Sequence, residues 1–269
     1  MTDLESYFSD VQSKRRRRRV YIAVSVCVGA VYVLVVGTGL LLFRSPLFGV
    51  KDIRVKGAVE VSPLQVMDMV LIKMRWPQNK AGFLGFRNML AWPKQLSGDD
   101  LKLLPSVKEI RIEKDIRKHS VTLHVAERQA VGIWCAMKRE PRSCFWFDRD
   151  GVMFRNTWAA EGSLISVVND YSQDNLGIND VILQKEFIPH LVGALEVLPE
   201  SNVAVKEIKL ADLSLQELEV STFDGPTIFF SLRFPASEAV SVLNSLREQP
   251  GLEKLQTVDF RVEGRVYYK

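Results

Sequence analysis

Hydrophobic positions follow three regimes along this chain. There is an unbroken apolar run near the start, then short alternating stretches with helical insertions to about residue 128, then a longer alternating series to the end. The unbroken run, Val20 to Phe43, holds 24 residues without a charged side chain. As a helix it would reach about 36 Å, enough to cross a bilayer. A secretory signal has a shorter apolar core of roughly 7 to 15 residues and a small-x-small cleavage site, of which Gly37-Thr38-Gly39 is only a weak imitation. A buried core helix would need polar positions, and only Ser25, Thr38 and the glycines interrupt the run. The expectation is an uncleaved transmembrane helix over 20–43. The basic stretch Lys14–Arg19 stays on the cytoplasmic side, and the opposite flank carries dispersed charges at Arg44, Lys51, Arg54 and Lys56, partly balanced by Asp52. Residues 1–19 are then a cytoplasmic tail, and the 226 residues from Arg44 onward lie outside the cytoplasm.

Beyond the run, FGVKDIRVK (Phe48–Lys56) alternates Val50, Ile53 and Val55 with charges and predicts a strand that Gly57 ends. Ser62-Pro63 opens a helix whose apolar face, Leu64, Met67, Met69, Val70 and Ile72, extends to about Lys73. Arg75 to Leu96 contains two Trp-Pro pairs and reads as a loop pinned to the core by its aromatics, or as a partner-binding or membrane-surface patch. Ser97 would cap a second helix, with Asp99 and Asp100 in its first turn, ending at Leu104-Pro105. Val107–Lys114 and Ser120–Glu127 follow as strands of a hairpin.

From residue 129 the pattern predicts a mostly antiparallel β module with two helices. Val131–Ala136 and Ser143–Phe147 form a hairpin around Pro141, and Asp148–Gly151 supplies a further reversal. Asn179–Leu198 has helical spacing with a kink or division at Pro189. Val205–Leu210, Leu218–Phe223 and Thr227–Leu232 are strands, Pro235 opens a helix to Glu248, and Thr257–Val262 and Arg265–Tyr268 close the chain near a sheet edge.

Charge changes this picture little. Residues 1–19 carry six Lys/Arg against three acids, a net of +3 out of the total +4. The remainder is nearly neutral in sum, which argues against a nucleic-acid partner and for a topogenic role of the arginines. Catalytic patterns are absent: His119, His124 and His190 are scattered, no Cys/His pair has metal-ligand spacing, and no phosphate-binding glycine motif occurs. No enzyme activity, metal or cofactor is expected. Cys27 falls in the apolar run. Cys135 and Cys144 sit symmetrically on the two arms of a hairpin, either as a disulfide in an oxidising compartment or as two small core hydrophobes.

The order strand, helix, helix, strand, strand after a membrane anchor resembles a POTRA domain, the polypeptide-transport-associated module. The likeness sharpens at LPSVKEIRIEKDIRKHSVTLHVAERQAVGIW, where Pro-x-Val precedes one strand and Val125-Ala-Glu127-Arg128-Gln-Ala-Val131 closes the next. FDRDGVMF is similar to an Asp-x-x-Gly-x-x-Phe hairpin at Asp148, Gly151 and Phe154, and TVDFRVEGRVYYK to a closing Val-Asp-Leu-Arg strand with a Gly turn. In that order the motifs resemble the FtsQ/DivIB family of bacterial division proteins along nearly the whole chain. The chain departs from that pattern at ADLSL (Ala211–Leu215), where basic residues are common, and in the longer, more aromatic Arg75–Leu96.

The resemblance implies an α+β fold: one N-terminal transmembrane helix, a POTRA-like βααββ domain over 46–128, and a β-rich partner-binding domain over 129–269. It implies a non-enzymatic divisome scaffold in the inner membrane at the division septum, with a periplasmic C-terminal part. FtsB and FtsL would be direct partners, and the septal synthase pair FtsW and FtsI an indirect one. The docking strand would be Phe260, Arg261, Val262, Gly264, Val266 and Tyr267, so that changing Arg261 and Tyr267 together weakens FtsB binding without unfolding. An alternative is a POTRA-bearing export or envelope-assembly component, for which an attached β-barrel would be expected.

Overall fold

A computed structural model describes residues 2–74, 85–138, 142–158, 165–236, 238–248 and 255–269. The chain has a mixed α+β architecture, with four α-helices and two sheets among the described residues. It divides into two compact units. One comprises Met1–Val55, Val70–Lys94 and Ile112–Leu123, the other Lys56–Met69, Gln95–Arg111 and His124–Lys269.

The first unit begins with α1, Thr2–Arg44, a single helix running through both the charged and the apolar stretch. Its glycines do not break it, and Thr38 Oγ1 folds back to donate to the carbonyls of Leu34 and Val35, at 2.8 and 3.0 Å. The part Arg17–Gly39 is long and apolar enough to cross a membrane, and none of it is buried, unlike the core helix of a soluble domain. By length and composition it is a membrane anchor or a signal sequence.

After α1 the chain turns at once. Ser45 Oγ accepts from Leu47 N–H and caps a 3₁₀ turn over Pro46–Phe48. Three separate segments then meet by backbone hydrogen bonds: Val50 N–H donates to Arg87 O (2.7 Å) and Lys51 N–H to His119 O (2.8 Å). His119 takes φ +53° at this junction, and its ring Nδ1 lies 3.1 Å from Gly49 O. Asn88 Oδ1 accepts from Leu90 N–H and caps a second 3₁₀ turn, Met89–Ala91. Trp92 is buried, its indole N–H donating to Phe86 O at 2.7 Å. Residues 85–96 are thus held by the buried side chains of Met89, Ala91, Trp92 and Leu96, the last in the short strand Gln95–Ser97. Residues 75–84, with Trp76-Pro77, lie outside the described residues.

The smaller sheet contains β1 (Asp52–Lys56), β2 (Gln95–Ser97), β3 (Val107–Asp115) and β4 (Ser120–Glu127), in the order β1-β4-β3-β2. The helix α2 spans Pro63–Lys73 as its pattern predicts, but the buried side chains are Val66, Met69 and Val70, with Met74 just beyond its end. Leu64 and Ile72 are exposed, because only the 66, 69/70, 74 spacing shares one stripe at 3.6 residues per turn. The second helix expected from Ser97 to Leu104 is only a four-residue 3₁₀ turn, Gly98–Leu101, and Ser97 makes no side-chain cap. Gly98 sits at φ +56° and Pro105 disfavours helix at Leu104, so too few residues remain to offset helix nucleation.

The larger sheet lies in the second unit. It is built from β5 (Ala130–Ala136), β6 (Ser143–Asp148), β7 (Met153–Thr157), β8 (Val167–Asp170), β9 (Val205–Leu210), β10 (Glu217–Thr222), β11 (Thr227–Ser231), β12 (Thr257–Val262) and β13 (Arg265–Tyr268). Their order is β13-β12-β11-β10-β9-β8-β5-β6-β7. The sheet is mixed: β11–β12, β5–β8 and β8–β9 are parallel and the other five pairings antiparallel. Helices α3 (Ile188–Glu200) and α4 (Ala239–Glu248) contribute to one core with Trp134, Phe147, Ile208, Val220, Phe230 and Val258. Successive residues of β5 divide between faces, so Ile133 and Cys135 form a second, small cluster with Cys144. The helix α3 starts at Ile188, not Asn179. Pro189 occupies its first turn, where a missing N–H is harmless, and Asn179 at φ +72° opens a loop whose Val181 bridges to Val152.

Glu127, at the end of β4, closes the loop after β1. Its carboxylate accepts from the backbone N–H groups of Val59, Glu60 and Val61 at 2.9, 3.0 and 2.9 Å. Burial pushes this carboxyl up, but the three N–H donors outweigh it and hold the group below its ordinary value. A depressed folded pKa means that the unfolded chain binds the proton more readily. The contribution is therefore present above about pH 4.3 and lost as pH falls through the folded value. Glu127→Gln is expected to lower stability at pH 7 by about 1–2 kcal/mol. It should also flatten the acid limb of the stability profile, read from urea midpoints collected from neutral to acidic pH.

Candidate functional site

The terminal strands form one edge of the larger sheet, with β13 outermost. A two-residue reversal, Glu263-Gly264, joins them across the pair Val262–Arg265, and Gly264 at φ +65° supplies the left-handed position. Lys269 and Thr257 exchange both backbone hydrogen bonds, at 3.1 and 3.2 Å. Pairing alternates along an antiparallel ladder, so Tyr268, opposite Val258, points its own N–H and C=O away from β12. That is an open edge among the described residues.

The six residues expected to dock a partner do not share one environment. Phe260 is buried and stacks on Phe230, with ring centroids 5.4 Å apart and planes at 7°, so it belongs to the core. Val266 packs against that core, while Val262 is exposed beside it. Phe260, Val262, Gly264 and Val266 line a groove of about 200 Å³ together with Phe234 and Ala239 at the start of α4.

Arg261 lies on the opposite face and is occupied within the sheet. Its guanidinium bridges Glu217 (2.8 Å) and Asp259 (2.6 Å) and lies 4.6 Å from the centre of the Phe229 ring. Hydrogen bonds to the two carboxylates raise the pKa of Arg261, and the guanidinium in turn holds the Asp259 carboxyl below its usual range. Tyr267 is 52% exposed and Tyr268 61%, so the edge presents two aromatic side chains between the exposed Arg265 and Lys269. Tyr268 escapes a sequence reading because its outward backbone depends on a pairing register that only the folded strand sets.

At ADLSL, Asp212 caps a 3₁₀ turn over Leu213–Leu215 by accepting from Ser214 N–H at 2.8 Å, and Gln216 follows at φ +56°. The acid at this position serves the turn. Cys135 and Cys144 are directly opposed across β5 and β6 and are disulfide-bonded, with Cα atoms 4.1 Å apart. The bridge lies on the face away from the helices, beside Trp146, whose ring Arg155 covers at 5.5 Å. His119 is at a turn, His124 on β4 and His190 in α3. Among the described residues no group of three His, Cys, Asp or Glu side chains is placed to hold a metal ion. Searched against protein-family models and curated proteins, the chain matches none.

Proposed function

We propose that this chain is a membrane-anchored, non-enzymatic scaffold of the FtsQ/DivIB kind, with a POTRA-like module over 46–128 and a β-rich partner-binding module over 129–269. In this reading α1 is the anchor, the N-terminus is cytoplasmic, and the remainder stands in the periplasm at the division septum. The scaffold holds FtsB and FtsL there and through them acts on the septal synthase pair FtsW and FtsI.

The observation that carries the reading is the open outer edge of β13, with Tyr267 and Tyr268 exposed on it. An unpaired strand recruits a peptide by main-chain hydrogen bonds, with no chemistry required of the side chains. Arg261 is a poor probe of this edge, since its loss disturbs the Glu217–Arg261–Asp259 bridge inside the sheet. Tyr268→Pro is a cleaner one. It removes an N–H that points outward and leaves the β12 ladder its bonds, a position where proline is tolerated. In titrations of the full chain in nanodiscs against an FtsB–FtsL pair, this variant is expected to lose about tenfold or more in affinity. Its thermal transition should stay in place. Unchanged affinity would remove the β13 edge as the docking site, and no binding by the intact chain would remove the scaffold reading.

A further inference from the structure

The near-zero net charge outside the N-terminal tail conceals a separation. Beyond α1, the first unit (45–55, 70–94 and 112–123) contains ten Lys/Arg against three Asp/Glu, a net of +7, whereas the second unit sums to −7. The positive unit is the one continuous with the apolar helix. Only Ser45 and a 3₁₀ turn separate Arg44 from the junction where residues 46–51, 85–90 and 116–119 are hydrogen-bonded together. Six residues extend at most about 20 Å, so this junction cannot leave the neighbourhood of the helix end.

The same three segments expose apolar side chains: Leu47 is 63% exposed, Ile116 50%, Phe86 48% and Leu90 43%. Beside them Lys51, Arg87, Arg117 and Lys118 are also exposed, the last paired with Asp115 at 3.5 Å. A protruding apolar fringe set among basic residues at the mouth of a bilayer-crossing helix matches an interfacial surface. The apolar tips enter the boundary between headgroups and acyl chains, and the cations meet lipid phosphates.

We infer that residues 46–51, 85–90 and 116–119 form a collar that seats on the anionic phospholipid headgroups of the leaflet where α1 emerges. The inference rests on α1 being a membrane anchor and holds for either orientation of that anchor. Each basic residue near an anionic surface adds roughly a fivefold preference, so lipid charge should control the contact. The collar fixes the height and tilt of the first unit over the membrane.

The test uses the full chain carrying Cys27→Ser, with a spin label at Leu90→Cys. It is reconstituted in nanodiscs of phosphatidylcholine alone or of an equimolar mixture with phosphatidylglycerol. A label at Leu47→Cys is a second reporter, and a label at Phe223→Cys, an exposed site in the second unit, is the water reference. Collision with a water-soluble nickel chelate is expected to fall severalfold at both collar sites in the anionic discs only. It should return to the reference level when Arg87, Arg117 and Lys118 are all changed to Glu. Collar labels as accessible as the reference in anionic discs overturn the collar alone, and so does shielding that ignores both lipid charge and the triple change. A chain that does not co-elute with the discs overturns the anchor and the collar together.

Discussion

Arg128→Ala is expected to destabilise the second unit by about 3–5 kcal/mol, because it strands a buried carboxylate without its cation. Arg128 follows directly on the residue that ends β4, with its side chain only 12% exposed, and Asp148 opposite is 4% exposed. The guanidinium donates to Asp148 Oδ2 at 2.5 Å and to Pro105 O at 3.0 Å, and the backbone N–H of Arg128 donates to Ser106 O. Asp148 is used twice: its other oxygen accepts from Asp150 and Val152 N–H, at 3.0 Å each, and shapes the reversal that Gly151 completes at φ +73°. A Cβ on Gly151 would also stand 2.7 Å from the Ile188 side chain, so the turn is tied to the start of α3.

The pair Lys108–Asp150, at 2.6 Å, ties β3 to the same reversal and Glu60–Arg155, at 2.7 Å, ties the loop after β1 to β7, but both are half exposed and contribute little by comparison. Urea unfolding of Arg128→Ala, Asp148→Asn and the Arg128→Ala/Asp148→Asn pair should show the double variant less damaged than the sum of the singles. The second substitution removes the partner that the first leaves buried and unpaired. Additive losses would mean that the two side chains act independently.

The motif residues Glu127, Arg128, Asp148 and Gly151 are visible in the sequence because their spacing is local, yet their work is not. Glu127 captures N–H groups 66 to 68 residues earlier, and Arg128 reaches across 20 residues. Alternation made β1, β3 to β6 and β9 to β13 legible as strands, while β2, β7 and β8 were not predicted. Strand β2, of three residues, is too short to repeat a two-residue period. The strand β8 is a strand because β5 and β9 flank it on both sides, which no local propensity reports.

The helix expected from Ser97 failed where local rules conflicted, a capping serine and two acids against a glycine and a proline within eight residues. At the terminal edge the Gly264 turn and the strand limits were legible. The occupation of Arg261 was not, since its partner Glu217 lies 44 residues away. The +7/−7 separation was hidden for a similar reason: it becomes visible only when the interleaved segments of each unit are summed together.

The largest loss expected from one substitution in the larger sheet is at Asp170, the last residue of β8, which is completely buried. No cation faces it. Instead its two oxygens accept from five donors: Ser172 N–H and Oγ–H at 2.7 and 2.6 Å, Gln173 N–H at 3.3 Å, Gln173 Nε2 at 3.0 Å and the Trp134 indole N–H at 3.2 Å. Gln173 Nε2 also donates to Ile182 O, so the carboxylate organises the turn after β8, the approach to α3 and the orientation of the buried Trp134. Trp134 in turn packs edge-on against Phe147 at 6.1 Å.

Asp170→Ala removes the acceptor of all five donors, of which the Trp134 indole N–H is buried and the Ser172 and Gln173 groups partly buried, and at about 1–3 kcal/mol for each group left unpaired a total above about 4 kcal/mol is expected. Asp170→Asn keeps one oxygen but turns a second donor toward the indole and Gln173 groups, for about 2 kcal/mol. Trp134→Phe removes a single N–H and should cost about 1 kcal/mol beyond the small volume change. Urea midpoints at neutral pH should therefore rank Asp170→Ala below Asp170→Asn, and that below Trp134→Phe. If Asp170→Ala proves no worse than Trp134→Phe, the indole bond alone matters and the remaining donors find water. A chain that orders Trp134 through a carboxylate 36 residues away has its central strand and its helix approach fixed by one side chain. The larger sheet should then unfold as a single cooperative block in all three variants.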